Sequence, residues 1–298
     1  MGKMTQESTG HPFLKHLEDK RTSLTAKGRI LADFVAENPR QAVFMTTRQL
    51  GQAAGVSEAT VVRFVDRLGY NGYAGFIQDL REFVDTQLTL IDRVALTRVN
   101  GAVAERVFGV VEEEIANLKE FYETADFETI SRAARLLVES NRLYIIGSRL
   151  SYTFAYYLGW SLTKIRGHVH ILRGSDSTAI DWLTIAPADS LVVIFATSRY
   201  PNELIRLARL ARRLGQRLLV VSDSTTCPVN QFADLHIVVR CLHFPVIGSP
   251  SLMACLVNCL TAEMIARGGE AVEPHQQKLE QTYRENDVLF NLDDRQPN

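Results

Sequence analysis

The chain has 298 residues, 46% hydrophobic and 22% charged, and its 33 Lys and Arg against 34 Asp and Glu leave a formal net charge of −1. That length accommodates two domains with their own cores, and near-neutrality excludes a general polyanion binder coated in lysine, so any nucleic-acid surface must be local. No segment has the basic, apolar, small-residue order of a signal peptide, and no apolar run reaches the roughly 18 residues needed to cross a bilayer, so a cytoplasmic protein without a membrane partner is expected.

Residues 1–12 are polar with Gly, Ser and Thr and are expected to be loose. Apolar positions Ile30, Leu31, Phe34 and Val35 have helical spacing, and Asn38-Pro39 is a stop signal, so one helix is expected over 13–38. Residues 46–73, TTRQLGQAAGVSEATVVRFVDRLGYNGY, then carry a short helix, a turn at Gly55 and a second helix restarted at Ser57, the order of a helix-turn-helix. Ser57 is a candidate acceptor for the free amides of the second helix's first turn, and Glu58 suits its positive end. Val61, Phe64, Val65 and Leu68 form an inward apolar stripe. Thr60, Arg63 and Arg67 share another stripe, where two guanidiniums one turn apart suit phosphate oxygens and the N7/O6 edge of guanine. Across residues 40–70 basic side chains exceed acidic ones by two, four against two. A lone Arg-x-x-x-Arg is ordinarily a solvated helix face; the capped, turn-linked context is what favours DNA. A supporting helix is expected over 75–90, with Phe76, Ile77, Leu80, Phe83 and Val84 on one side.

The wording VSEATVVRFVDRLGYNGYAGF resembles the N-terminal domain of the RpiR/MurR family of bacterial transcription regulators, with Gly72-Tyr73 and Phe76 matching the start of its next helix. The resemblance implies that the Ser57-led helix is the DNA recognition helix. With the outer face read above, it makes Arg48, Ser57, Glu58, Thr60, Arg63, Arg67 and Tyr73 the expected DNA-binding residues.

Periodicity weakens between about 89 and 102, and Asn100-Gly101 is a turn signal. We therefore expect a helix-turn-helix domain over 13–90, a linker and the start of a connecting helix over 91–107, and a second domain over 108–268, followed by a C-terminal helix and tail over 269–298. Helices over 102–125 and 127–139 are apolar enough to serve either as core or as a dimer surface. From Arg142 the pattern becomes β-branched runs alternating with helices: LYIIGS (143–148), HVHIL (168–172), SLVVIFA (190–196), RLLVVSD (217–223) and LHIVVR (235–240). Continuous apolar strands separated by helices imply an α/β domain with a five-stranded parallel sheet covered on both faces. Ligands in such sheets sit beyond the C-terminal strand ends, where this chain places Gly147-Ser148-Arg149-Leu150-Ser151 and Ala196-Thr197-Ser198-Arg199.

Those two loops and the later strand resemble a sugar isomerase (SIS) domain, the phosphosugar-binding module usually joined to this helix-turn-helix. In the family the first loop is commonly Gly-x-Gly-x-Ser and the other approximately Ser-x-Ser-Gly-x-Thr; here Arg149 and Arg199 stand where glycines are usual, and Ala196 and Pro201 cannot supply the family's hydroxyls. The resemblance implies that Ser151 and Ser198 contact a phosphosugar, and Ser148, Arg149, Thr197, Arg199 and Glu203 complete the candidate ligand set. Arginine adds a cation and a planar donor fork but fills the space glycine leaves. Arg149 and Arg199 are read as a clamp on a small anionic metabolite, a sugar phosphate or sugar acid; the alternative is a degenerate pocket with both pointing to solvent or paired with acids. Tyr200, Ser222, Ser224, Asp176, Asp181 and His243 are weaker candidates for the same pocket.

Four cysteines, Cys227, Cys241, Cys255 and Cys259, lack paired C-x-x-C spacing and read as buried thiols, so no metal and no cofactor are expected. The leading expectation is a ligand-responsive transcription regulator binding double-stranded operator DNA as a homodimer or tetramer, not an enzyme. A sugar phosphate isomerase is the alternative, but its candidate bases, Glu203, Glu263 and His243, have no motif behind them. A DNA-bound architectural protein with a vestigial ligand domain is the third reading.

Overall fold

The computed structural model describes residues 11–87, 91, 102–239 and 250–289. Expectations for residues 1–10, the Asn100-Gly101 turn, Cys241, His243 and the end of the tail lie outside the described residues. The chain divides into two compact units, the first built from residues before position 100 and the second from most of those after it.

In the first unit the helices are α1 (Pro12–Lys20), α2 (Ala26–Glu37), α3 (Pro39–Ala42), α4 (Thr47–Ala53), α5 (Glu58–Leu68) and α6 (Gly72–Gln87). The single helix expected over 13–38 is two, broken by a 3-10 turn at Arg21–Ser23. Thr25 restarts the chain by accepting from the Gly28 amide at 3.2 Å, and Leu24 is buried in the break, so capping and burial outweigh helical propensity there. The short α3 was not expected either; Pro39 is favourable at a first helical position, where no amide is needed. Ile30, expected on the inward stripe, is half exposed.

One core joins these helices: Phe13, Leu17, Leu31, Val35, Leu50, Val61, Phe64, Val65, Leu68, Phe76, Leu80, Phe83 and Val84 are all buried. Phe76 is its aromatic hub. Its ring centroid lies 6.0 Å from Phe13, 5.8 Å from Phe64, 5.6 Å from Tyr70 and 5.9 Å from Tyr73.

The second unit opens with α7 (Val103–Thr124) and α8 (Phe127–Glu139), then alternates β1 (Leu143–Gly147), α9 (Ser151–Thr163), β2 (Val169–Arg173), α10 (Thr178–Ile185), β3 (Leu191–Ala196), α11 (Asn202–Arg213), β4 (Arg217–Ser222) and β5 (Leu235–Val238), and ends in α12 (Pro250–Gly268) and α13 (Val272–Glu285). The strand order is β2-β1-β3-β4-β5 and every pairing is parallel. Side-chain alternation divides the core: Leu143, Ile145, Val193, Phe195 and Val221 face α8, α9 and α12, while Tyr144, Ile146, Val192, Ile194 and Val220 face α10 and α11. Both layers are apolar because both sheet faces are covered, as the continuous apolar strands predict. Helix α10 carries Asp181, and Asp176 lies just before it, accepting from the Thr178 amide at 3.0 Å.

Helix α7 turns most of its apolar residues outward. Its apolar residues Val103, Val107, Phe108, Val110, Val111 and Ile115 are all exposed, while Asn117 is buried and Phe121 packs against the core of its own unit. Cys227 is buried and its thiol is pushed up to about 12, chiefly by desolvation, consistent with an inert small hydrophobe.

Candidate functional sites

The first candidate site is the outer face of α5. Glycine at position 55 takes φ 67°, the left-handed turn that lets α4 and α5 meet at an angle, and α4 is held at its start by a capping box between Thr46 and Gln49. Val61, Phe64, Val65 and Leu68 anchor α5 to the core, each worth roughly 1.5–3 kcal/mol of burial. The opposite side, with Arg63 and Arg67, is exposed. Arg67 reaches only the Ser23 carbonyl, at 3.5 Å, and Arg63 makes no hydrogen bond or ion pair among the described residues. Arg48 on α4 is exposed too.

Three expected members of this face are placed differently. Ser57 occupies the N-cap position, but its hydroxyl makes no capping bond; it pairs with Thr60 Oγ1 at 2.8 Å. Thr60 is itself buried, so it lies off the open stripe on which spacing put it beside the arginines. Tyr73 is half-buried and donates to the Met45 carbonyl at 2.8 Å, and burial pushes its phenol up to about 12; it braces the domain from within. Glu58 is exposed and accepts a hydrogen bond from the Thr47 hydroxyl, tying the two helices of the motif together. The sequence reading missed Ala59 and Val62, which are exposed on the same side as Arg63 and can meet a thymine methyl. Their positions, four and one before Arg63 on a helix, were the available signal.

The second candidate site lies at the C-terminal edge of the sheet between β1 and β3, where the strand order reverses and the loops diverge to opposite faces. Gly147 ends β1 because nothing larger fits: a Cβ there would meet the Ser151 carbonyl oxygen at 2.4 Å. The following loop is stapled by Ser151, whose hydroxyl donates to the Ser148 carbonyl at 2.8 Å and accepts from the Ser148 amide at 3.1 Å. Ser148 in turn donates to Glu203 Oε1 at 2.6 Å, linking this loop to the first turn of α11. After β3, Ser198 donates to Asp223 Oδ2 from both its amide and its hydroxyl, each at 2.6 Å, and Tyr200 donates to Asp223 Oδ1 at 3.0 Å. Thr197 sits half-buried between these groups and the strand end.

The ligand set expected from sequence is therefore brought to one sheet edge, but the hydroxyls of Ser148, Ser151 and Ser198 are occupied by protein acceptors. Ser151 in particular is buried and shapes the loop. Asp223 was missed; its place one residue past β4, at a strand end, was the sign. Arg149 and Arg199 are exposed, their guanidiniums make no hydrogen bond or ion pair among the described residues, and they adopt φ 55° and 65°. Left-handed backbone at a non-glycine residue costs on the order of 1–3 kcal/mol and collects at ligand clamps. Both positions combine a glycine-type backbone conformation with a cationic side chain. Arg173, at the end of β2, lies over the Tyr152 ring at 5.0 Å and adds a third guanidinium to this edge.

Glu203 is held below the usual carboxylate range, first by the Ser148 hydrogen bond, then by its own backbone amide at the start of α11, with Arg206 and Arg149 adding to the effect. A lowered folded-state value means a stabilising contribution that is complete above the unfolded value of about 4.3 and is lost as pH falls through the lower folded one. The melting-temperature gap between the wild type and Glu203→Gln should thus be constant above about pH 5 and shrink below about pH 4. A gap that persisted unchanged to pH 3 would show that the carboxylate is not stabilised by these partners.

Comparison with known proteins bears on both sites. The model of the helix-turn-helix domain, rpiR family, matches residues 12–87, and that of the SIS domain matches residues 136–266. The HTH-type transcriptional regulator HexR of Pseudomonas aeruginosa is 23% identical over 284 residues, covering 91% of this chain and 95% of HexR. Among solved structures, the Vibrio vulnificus NanR protein complexed with ManNAc-6P has a TM-score of 0.59 at 20% identity, covering 94% of this chain and 100% of NanR. The sugar isomerase domain of an RpiR transcription factor from Sphaerobacter thermophilus has a TM-score of 0.54 at 22% identity, covering 58% of this chain and 97% of that one. At these identities the structural likeness is one of fold.

Proposed function

Because the chain belongs to the rpiR family of helix-turn-helix transcription regulators, with a SIS domain following, we propose that it reads operator DNA through α5 and that its sheet edge senses an anionic metabolite, a sugar phosphate or sugar acid. The observation that carries the DNA reading is the division of α5 into a fully buried side and an exposed side bearing Arg63 and Arg67. The left-handed backbone of Arg149 and Arg199, at the ends of two neighbouring strands, supports the clamp on the metabolite. The NanR complex with ManNAc-6P supports a phosphosugar as its class.

Residues 13–90 then serve as the DNA-binding part and 108–268 as the sensor, in a cytoplasmic protein without a cofactor. The exposed apolar residues of α7 favour a homodimer, which would present two α5 helices to two half-sites. Isomerase catalysis is disfavoured: Glu203 is held as a weak base by Ser148, and Glu263 is paired with Arg267 at 3.2 Å.

Arg63→Ala is expected to weaken specific operator binding by about 1–3 kcal/mol, with wild-type binding falling steeply as salt rises. Fluorescence anisotropy with a DNA fragment from the protein's own gene neighbourhood measures both. Equal affinity of variant and wild type would remove Arg63 from the interface, and turnover of an aldose phosphate by the purified protein would reinstate the enzyme.

A further inference from the structure

At the loop after β3, the donors that an anion needs converge on a carboxylate that the protein itself supplies. Asp223 receives the Ser198 amide and hydroxyl on Oδ2, both at 2.6 Å, and the Tyr200 hydroxyl on Oδ1 at 3.0 Å. A backbone N–H, an aliphatic hydroxyl and a phenol directed at one anion form the kind of cradle that proteins build for the phosphate or carboxylate of a ligand. The left-handed Arg199 stands between the two donor residues, with its side chain exposed beside them. Glu203 is not equivalent: the first loop gives it one hydroxyl, from Ser148, and it remains at the start of α11, where the helix favours negative charge in any case.

We propose that Asp223 is a built-in competitor for the effector: its carboxylate fills the anion seat of the second loop, and the acidic group of the metabolite enters by displacing it. This rests on the reading of the sheet edge as an anion site. A phosphate cannot share these donors with a carboxylate, because two like charges at hydrogen-bond range repel and the donors have no spare protons. Binding is therefore an exchange, in which the loop from Ser198 to Tyr200 is released from the end of β4 and re-forms on the ligand. Such an exchange moves the segment that leads into α11, giving the site two discrete arrangements that an effector can select.

The test is calorimetric titration of the full-length protein with ManNAc-6P, with inorganic phosphate and with the phosphate-free sugar. Asp223→Asn keeps the side chain's size and an acceptor oxygen but removes the charge; Asp223→Ser is the second variant should the first fail to fold. Either should bind the phosphorylated sugar or phosphate about tenfold or more tightly than the wild type, with no gain for the neutral sugar. If the wild type binds and the variants bind equally or more weakly, or if the neutral sugar gains as much, the competitor idea is wrong while the anion site stands. If no protein binds any of the three, both fall together. A structure of the ligand-bound wild type gives an independent reading: the Ser198–Asp223 separation must exceed about 3.5 Å, and a retained hydrogen bond there would overturn the proposal.

Discussion

Phe76→Ala should unfold the first unit and abolish operator binding, although residue 76 lies in its interior and touches no proposed DNA contact. The ring is fully buried and has four aromatic neighbours, Phe13, Phe64, Tyr70 and Tyr73, which between them come from α1, α5, the connection after α5, and α6. Truncating a buried Phe costs about 3–5 kcal/mol, and well-placed aromatic pairs add about 0.5–1.5 kcal/mol each beyond area. Small domains hold only about 5–15 kcal/mol in total, toward the lower end at this size, so one such loss removes most of the margin. Limited proteolysis of the full chain should cut within residues 11–87 in the variant while the second unit stays protected, and the operator shift should vanish. A variant as resistant as wild type would show that the core repacks around the vacancy and that Phe76 is not its hub.

The second large effect belongs to Gly147→Ala. The added methyl would sit 2.4 Å from the Ser151 carbonyl oxygen and 2.6 Å from the Tyr152 Cα, both backbone atoms at the entry to α9 that no rotamer change can move. Relief requires β1 and α9 to part. That would break the Ser148–Ser151 staple and disturb the bond from the Gly174 amide to the Gly147 carbonyl, 2.8 Å long, which joins the ends of β1 and β2. A loss of about 3 kcal/mol is expected, at the upper end for overpacking, together with loss of metabolite binding. Calorimetric melting of the full chain should show the second unit's transition moved down by several degrees, roughly 2–4 °C per kcal/mol at this domain size. Wild-type melting with intact metabolite binding would mean that the strand end tolerates a side chain and that close approach is not why glycine stands there.

These two residues also mark the boundary between what was legible and what was not. Phe76 could be placed from sequence as an inward residue of a supporting helix, because helical spacing alone sorts Phe76, Leu80, Phe83 and Val84 onto one side. Gly147 could be placed at a strand end, because the apolar run stops there. What spacing does not carry is the identity of the atoms across the gap. Thr60 shows the limit: its period put it beside Arg63 and Arg67, and packing of α5 against its neighbours buried it. Leu24 and Thr25 show it again, since a buried side chain and a cap, neither periodic, broke a helix that the apolar positions alone would have continued.

The sequence by itself determined the helix-turn-helix with its arginine face, the five parallel strands, and the two loops beyond β1 and β3, because periodicity, turn chemistry and run length are local properties of the chain. Only the tertiary structure decided which groups at those loops face one another. Ser198 and Asp223 are 25 residues apart, and Ser148 and Glu203 are 55 apart. Hydrogen bonds of that separation are fixed by the strand order and by where each strand ends, quantities that no window of neighbouring residues contains. The same sheet geometry left the Arg149 and Arg199 side chains exposed, in backbone conformations ordinarily reserved for glycine.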